Sequence, residues 1–387
     1  MTNFGKVHKI AVLRANGIGD YIFCLPALEA LRATFPDAEI VLLGKAWHRA
    51  YLTGRPGAID RVVELPTARG VGAAEDARED VAALDSFFDA MRAERFDLAF
   101  QLHGGGRWSN PFVKRLGARH TFGLCAADAE PVEFSVPYLY YQPEVFRYLE
   151  VVALAGAHAA GWEPRMSVTD EDLAAARAVL PAGKTVAVLH LGASDPRRRW
   201  PAARFARVGD ALGDAGALIV VNATGDERPQ LDELAENMRH PFIDLGPDST
   251  LSLLTGVLAQ AALIVANDSG PLHLARAIGT ASVGIYWCGN LINAGPTSRT
   301  RHRPLLSWRL ACPECGVNTI EQRCEHTASF VADIPPEEAI GQALDLLSAA
   351  VKQPAAASLP RFPTQQPQQP LHPAIPVLPV PSLRADY

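Results

Sequence analysis

The sequence predicts an α/β protein made of two doubly wound halves. Three observations carry that expectation. Short apolar runs alternate with amphipathic stretches, the pattern of parallel strands joined by helical crossovers. The runs fall into two series, separated by a polar stretch that contains Pro164 and Gly183. The chain has 387 residues, which at roughly 100 to 200 residues per domain suits two domains.

In the first series, Lys9 to Arg14 reads as a buried strand. A glycine-containing turn follows, then a helical stretch from Asp20 to about Phe35. Further strands are expected at Glu39 to Leu43, Arg61 to Glu64, Asp97 to Leu102 and Arg119 to Phe122. The second series opens with TVAVLHL, Thr185 to Leu191, a continuous apolar run of the kind that suits a central parallel strand. It continues through Leu218 to Asn222, Phe242 to Leu245, Leu263 to Ala266 and Ser282 to Trp287. The expected division is residues 1–165, 180–350 and a tail, 351–387. The tail holds nine prolines after residue 352 and no periodic pattern, so it reads as extended and mostly disordered.

Composition excludes several classes. With 48% apolar and 20% charged residues, the chain can bury real cores, unlike a disordered or collagenous one. A formal charge of −6 argues against a nucleic-acid partner, which needs a clustered basic surface. Six cysteines with long gaps between Cys24, Cys125 and Cys288 are not a secreted disulfide framework. The first apolar run is interrupted by Arg14, Asn16 and Gly17 before it could act as a signal segment. No apolar stretch is long enough to span a bilayer. The expected location is the cytoplasm.

Ligands of such sheets bind beyond the carboxyl ends of strands, so three strand-end loops hold the candidates. The first, Arg14-Ala15-Asn16-Gly17-Ile18-Gly19-Asp20, has glycines that allow close backbone approach but lacks the spacing of a dinucleotide fingerprint. That disfavours an NAD-dependent oxidoreductase. Asp20 has two readings, a helix cap or a general base at a cleft. In the second half, Asn267-Asp268-Ser269-Gly270 ends a strand, and Pro271 suits the start of a helix. Free amides at Ser269, Gly270 and Leu272 would form an anion site there, with His273 on the first turn. An ordinary strand-to-helix turn explains the same residues. The neighbouring loop, Gly192 to Pro201, offers Ser194 and three arginines, Arg197, Arg198 and Arg199, whose forks match phosphate oxygens. A third loop, Asn222 to Arg228, could present Glu227 to a ribose or base.

These loops, with Leu25-Pro26-Ala27-Leu28 and a cysteine-bearing segment ahead of Ile334-Pro335-Pro336-Glu337-Glu338, resemble glycosyltransferase family 9 over about residues 9–345. Its best-known members are the ADP-heptose:lipopolysaccharide heptosyltransferases. The resemblance implies the GT-B fold, two Rossmann-like domains facing across a cleft. It implies an inverting transfer with no catalytic metal and no cofactor, from a nucleotide-diphosphate sugar to a lipopolysaccharide-core or other surface-glycan acceptor. It makes Asp20 the base and Ser194, Arg198, Arg199, Glu227, Asp268, Ser269, Gly270, Leu272 and His273 the donor contacts. Any membrane contact would be peripheral, at the inner membrane surface. Two departures stand out: Arg198 replaces a lysine usual in the family, and Asn16-Gly17 replaces small hydroxyl residues.

Acceptor contacts are expected from Arg14, Asn16, Gly17 and Gly19 of the first loop and from His103 and Arg107 of the segment Gln101 to Asn110. That segment also reads as a mobile loop before a basic helix. Cys312, Cys315, Cys324 and His326 form C-x2-C-x8-C-x-H, the ligand types of a structural zinc site or simply reduced thiols. The competing functional class is a nucleotide-sugar-binding scaffold without transferase activity, which turnover assays separate from an enzyme.

Overall fold

The computed structural model describes residues 4–352, so the proline-rich segment lies outside the described residues. Two six-stranded, all-parallel sheets organise the chain. The first contains β1 (Lys9–Leu13), β2 (Glu39–Gly44) and β3 (Arg61–Glu64). After a two-residue ribbon of β4 (Ala68–Arg69) and β5 (Gly72–Ala73) it continues with β6 (Leu98–Gln101), β7 (His120–Cys125) and β8 (Phe134–Pro137). The second sheet contains β9 (Val186–His190), β10 (Leu218–Asn222), β11 (Phe242–Asp244), β12 (Ala261–Asn267), β13 (Ala281–Trp287) and β14 (His302–Ser307). The strand orders are β3-β2-β1-β6-β7-β8 and β11-β10-β9-β12-β13-β14, the same doubly wound pattern twice. Chain direction across each sheet reverses beside its first strand, so crevices open between the ends of β1 and β6 and between those of β9 and β12.

The central strands agree with the expected ones to within a residue or two. Besides the short β4–β5 ribbon, β8 and β14 are the strands the apolar pattern did not reveal. Each sits at a sheet edge and pairs on one side only, so neither needs a continuous apolar run. Their sequences, FSVP and HRPLLS, contain Pro137 and Pro304, a residue tolerated at edges because an unpaired N–H is not missed there.

Side-chain alternation places the cores. Ile10 and Val12 point to one face of the first sheet, Ala11 and Leu13 to the other. Val186 and Val188 likewise oppose Ala187 and Leu189 in the second. The inner faces of both sheets and the helices covering them share one apolar cluster, which joins the halves. The Glu144–Ala153 helix packs on the Ile18–Thr34 helix in the first half, and the Asp170–Val179 helix packs on Leu251–Gln260 in the second. The chain therefore crosses between halves within residues 154–169. The last helix, Pro336–Lys352, lies on the Ala202–Asp214 helix of the second half.

A buried ion pair reinforces this junction. Arg55, which follows the Ala46–Leu52 helix, makes a fork with Asp172 at 2.6 and 2.8 Å, and Asp172 is fully buried. Nearby, the Tyr51 and Thr255 hydroxyls lie 2.6 Å apart. Burial works against the Asp172 charge, but Arg55 and the Thr169 backbone N–H hold its carboxyl below the usual range. Removing Arg55 leaves that charge unpaired, so Arg55→Ala should cost about 3 kcal/mol in denaturant unfolding at pH 7. A depressed carboxyl contributes stability that is full above its unfolded value, near about 3.9, and lost as pH falls through the folded one. The stability gap between wild type and Arg55→Ala should accordingly narrow as pH drops from 7 to 3.

Candidate functional site

The first loop leaves β1 and runs into the Ile18–Thr34 helix. Asp20 sits on the first turn of that helix, where its Oδ2 accepts the Gly17 N–H at 3.0 Å. This is the capping geometry, yet the side chain stays 40% exposed, so the cap does not remove the carboxylate from the cleft. Its Oδ1 is 3.2 Å from the Arg14 guanidinium. Arg14 itself is buried and fully engaged: it also donates to the Asp20 and Leu102 carbonyls, the Tyr148 hydroxyl and Glu144. Arg14 was expected to meet the acceptor directly, but its geometry is that of a strut setting the position of Asp20. Gly17 is exposed and Asn16 half-buried, whereas Gly19 is buried against the other half.

The second half contributes the Gly270–Ile278 helix, with Ser269 at its N-cap. The amides of its first turn have no intrahelical acceptor, and Pro271 has none to offer. This helix end abuts the start of the Ile18–Thr34 helix. A Cβ on Gly19 would lie 2.9 Å from His273 Cδ2, and one on Gly270 would lie 2.6 Å from Ile18 Cγ2. Two helix N-termini thereby meet, and both favour negative charge between them.

The arginine loop divides its work. Arg197 is bound by Asp195 and lies over Phe330. Arg199 donates to the Ala193 carbonyl. Arg198 reaches Asp268 Oδ2 at 2.8 Å and Ser194 Oγ at 2.7 Å. Asp268 is buried, with His273 Nε2 3.1 Å from its other oxygen. Burial opposes that charge, but His273 and Arg198 hold the carboxyl below the usual range. Asp268 thus orients two groups that face the helix end. The Arg198 side chain is only 20% exposed, its two terminal nitrogens taken up by buried Asp268 and exposed Ser194.

Glu227 is buried, accepting the Thr224 N–H at 2.7 Å, and its carboxylate occupies the space where a Gly192 side chain would stand. Leu272 is buried and can contribute only its backbone to a ligand.

On the other side of the first crevice, His103 is buried and accepts the Ala15 N–H at its Nδ1. Burial, helped by the charge of Arg14, presses its pKa down to about 3, so this expected acceptor contact is a buried, neutral part of the loop. Arg107 is exposed, loosely paired with Asp128 at 4.0 Å. Gln101 shapes this segment, donating to the His103 and Gly104 carbonyls.

Several contributors were not singled out from sequence. Glu144 and Tyr148 are a fourfold-spaced pair on one amphipathic helix face, a signal visible in principle. Arg276 is three residues beyond His273, 3.4 Å from its Nδ1, and ties the helix to the Ala294 and Gly295 carbonyls. Asn267 holds the neighbouring loop through the Leu191 carbonyl and the Trp200 N–H. An open cavity of about 620 Å³ lies between Tyr140 and Tyr141 of the first half and Arg197, Arg198, Trp287 and Asn290 of the second. The ligand atoms of Cys312, Cys315, Cys324 and His326 converge within 4.8 Å of one another.

The contact of Gly192 with Glu227 can be tested. Gly192→Ala should destabilise by about 1 to 3 kcal/mol through overpacking, read as a lower thermal midpoint. Adding Glu227→Ala should recover part of the loss, because the double variant removes the overlap.

Comparisons with known proteins bear on the family and the fold. The sequence is 28% identical over 180 residues to lipooligosaccharide heptosyltransferase 2 of Campylobacter jejuni, covering 44% of this chain and 53% of that protein. The chain spans about half the length of the curated relatives it matches. The structure superposes on glycosyl transferase family 9 from Veillonella parvula with a TM-score of 0.73 at 20% identity, covering 90% of this chain and all of that one. ADP-heptose lps heptosyltransferase II of E. coli gives a TM-score of 0.70 at 17% identity over 89% of this chain and 99% of its own. The paired parallel sheets are those of the GT-B fold. The profile of glycosyltransferase family 9 (heptosyltransferase) matches residues 84–323, more than half of the sequence, and the chain belongs to that family.

Proposed function

We propose that this protein is an inverting, metal-independent glycosyltransferase that moves a sugar, with heptose the leading candidate, from an ADP-linked donor to a lipopolysaccharide-core or related surface-glycan acceptor. The observation that carries this reading is the contact of Gly19, the residue before Asp20, with His273 on the first turns of the Gly270–Ile278 helix. A base and an anion cradle thereby share one crevice.

In the proposed step, an acceptor hydroxyl attacks the anomeric carbon while its proton passes to the Asp20 carboxylate. The bond from that carbon to the diphosphate oxygen breaks on the opposite face, which inverts the centre. Negative charge grows on the departing diphosphate. The amides of Ser269, Gly270 and Leu272, the helix dipole and the Arg198 fork are already oriented for it, the kind of preorganised donor set that substitutes for a cation. Ser194 and Asp268 hold Arg198, His273 stands at the junction, and Glu227 and Arg199 support the nucleoside side. Arg14 keeps Asp20 aimed. Asn16 and Gly17 line the acceptor approach, Gly19 being buried against the other half, and Arg107 is an exposed cation beside Asp128.

The acceptor's lipid part would be met at the membrane surface. No helix among the described residues is long and apolar enough to cross a membrane, and exposed Leu139, Tyr140 and Tyr141 stand beside the cavity. Such contact would be peripheral, at the cytoplasmic face of the inner membrane.

A thermal-shift screen of ADP, GDP, UDP and dTDP tests the nucleotide; ADP should raise the midpoint most, and no shift with any of them would refute the donor site. With turnover in hand, Asp20→Ala should lower transfer by at least about a hundredfold, the usual worth of a general base, while leaving the ADP shift intact. Full activity in that variant would remove Asp20 from the mechanism. Arg198→Ala should do the reverse at the binding step, weakening the ADP shift. Nucleotide binding without turnover on any acceptor would favour the scaffold class.

A further inference from the structure

The segment 308–330 lies outside the chemistry just described, and the function does not explain its cysteines. Cys312, Cys315, Cys324 and His326 come from two separate turns, yet one ligand atom from each lies within 4.8 Å of the others. Three thiols and an imidazole converging in this way, without a disulfide, are the donor set of a tetrahedral structural site.

Local geometry supports the reading. Gly316 follows Cys315 with φ +72°, and its N–H donates to the Cys312 carbonyl at 2.9 Å. The Cys312 N–H in turn donates to the Val317 carbonyl at 2.9 Å. This tight turn points the two thiols of C-x2-C to the same side, and its left-handed residue is one that glycine fills at least cost. His326 Nδ1 stands 3.8 Å from Cys312 Sγ. A tetrahedral ion with metal–sulfur and metal–nitrogen bonds of about 2.3 and 2.0 Å needs an edge of about 3.5 Å, so the separation already fits. The other ring nitrogen, Nε2, faces the Glu314 carboxylate at 3.8 Å. A carboxylate behind a ligating histidine is the outer partner that fixes the ring and strengthens its donor nitrogen.

The surroundings indicate what such an ion would do. The Phe330 N–H donates to the Arg197 carbonyl at 2.6 Å, and Ser329 Oγ donates to the Arg199 carbonyl at 2.7 Å. Trp287 Nε1 donates to the Arg309 carbonyl at 2.7 Å. Thr319, Ile320 and Arg323 line the same cavity as Arg198. The segment has little regular structure of its own, so its shape must come from side-chain links.

We propose that Cys312, Cys315, Cys324 and His326 bind one zinc ion, which holds segment 308–330 in place as the wall of the cavity beside the arginine loop. The ion is structural: all four positions are taken by protein, leaving none for substrate. Its role beside the donor loop rests on the function proposed above, but the metal site itself does not.

Elemental analysis of the purified full chain should find about one zinc per chain. Cys312→Ser with Cys315→Ser should bring that below about a tenth, while His326→Cys, which keeps four ligands, should retain it. Because a ligand-free variant can fail to fold, the wild-type chain is also treated with a chelator: its thermal midpoint should fall and recover on adding zinc. Cobalt substituted for zinc should give the intense visible bands and thiolate charge-transfer absorption of a tetrahedral sulfur site. Absence of zinc after purification with zinc present, iron in its place, or a disulfide between any of these cysteines would overturn the proposal. Zinc bound without any ADP shift would leave this site standing and refute the donor reading alone.

Discussion

Everything at the site depends on two helix ends being able to touch. Gly19 lies against His273, and Gly270 against Ile18, at distances that leave no room for a side chain on either glycine. Dipoles with their positive ends together repel one another, so the contact needs something to hold it. The apolar cluster shared by both inner sheet faces does that, together with the buried Arg55–Asp172 fork. The electrostatic strain at the junction becomes useful when an anion sits there, because the anion is attracted by both ends. The two halves therefore do more than face each other. The crevice is made by their contact.

The arginines show how far charge in a sequence is from charge at a site. Arg14, Arg197 and Arg199 each have carbonyl or carboxylate partners inside the protein. A guanidinium has five donors in a fixed plane, which makes it as good a strut between loops as it is a phosphate fork. Among the arginines singled out, Arg107 is the exposed one, and Arg198 also has a buried carboxylate partner in Asp268. Arg198 is held at both ends of its fork by Ser194 and Asp268, so it loses little freedom on meeting a ligand. His103 makes the same point with opposite sign: once buried beside Arg14, it is neutral.

The cap reading of Asp20 engages one oxygen of the carboxylate, so it does not exclude the base role proposed above. Oδ2 takes the Gly17 amide, Oδ1 faces Arg14, and much of the side chain stays open. The cap sets orientation, and the exposure leaves the group available for chemistry.

The sequence by itself determined the two-sheet α/β architecture, because a strand buried on both faces is apolar along its middle, as β1, β2, β9 and β10 are, with Lys9, Glu39, His190 and Asn222 only at their ends. It also marked the strand-end loops, where glycine, proline and capping residues interrupt the apolar pattern, and it spelled out the four-ligand spacing of Cys312 to His326. It could not show the edge strands β8 and β14, whose single pairing partner imposes no strong pattern. Nor could it show that Arg14 is a strut, that Glu144, Tyr148 and Arg276 belong to the site's frame, or that Gly19 and Gly270 meet. Arg14 meets Glu144 and Tyr148, and Gly19 meets His273, across more than a hundred positions of chain, and only tertiary packing decides which side chains are spent on the protein and which remain for a ligand.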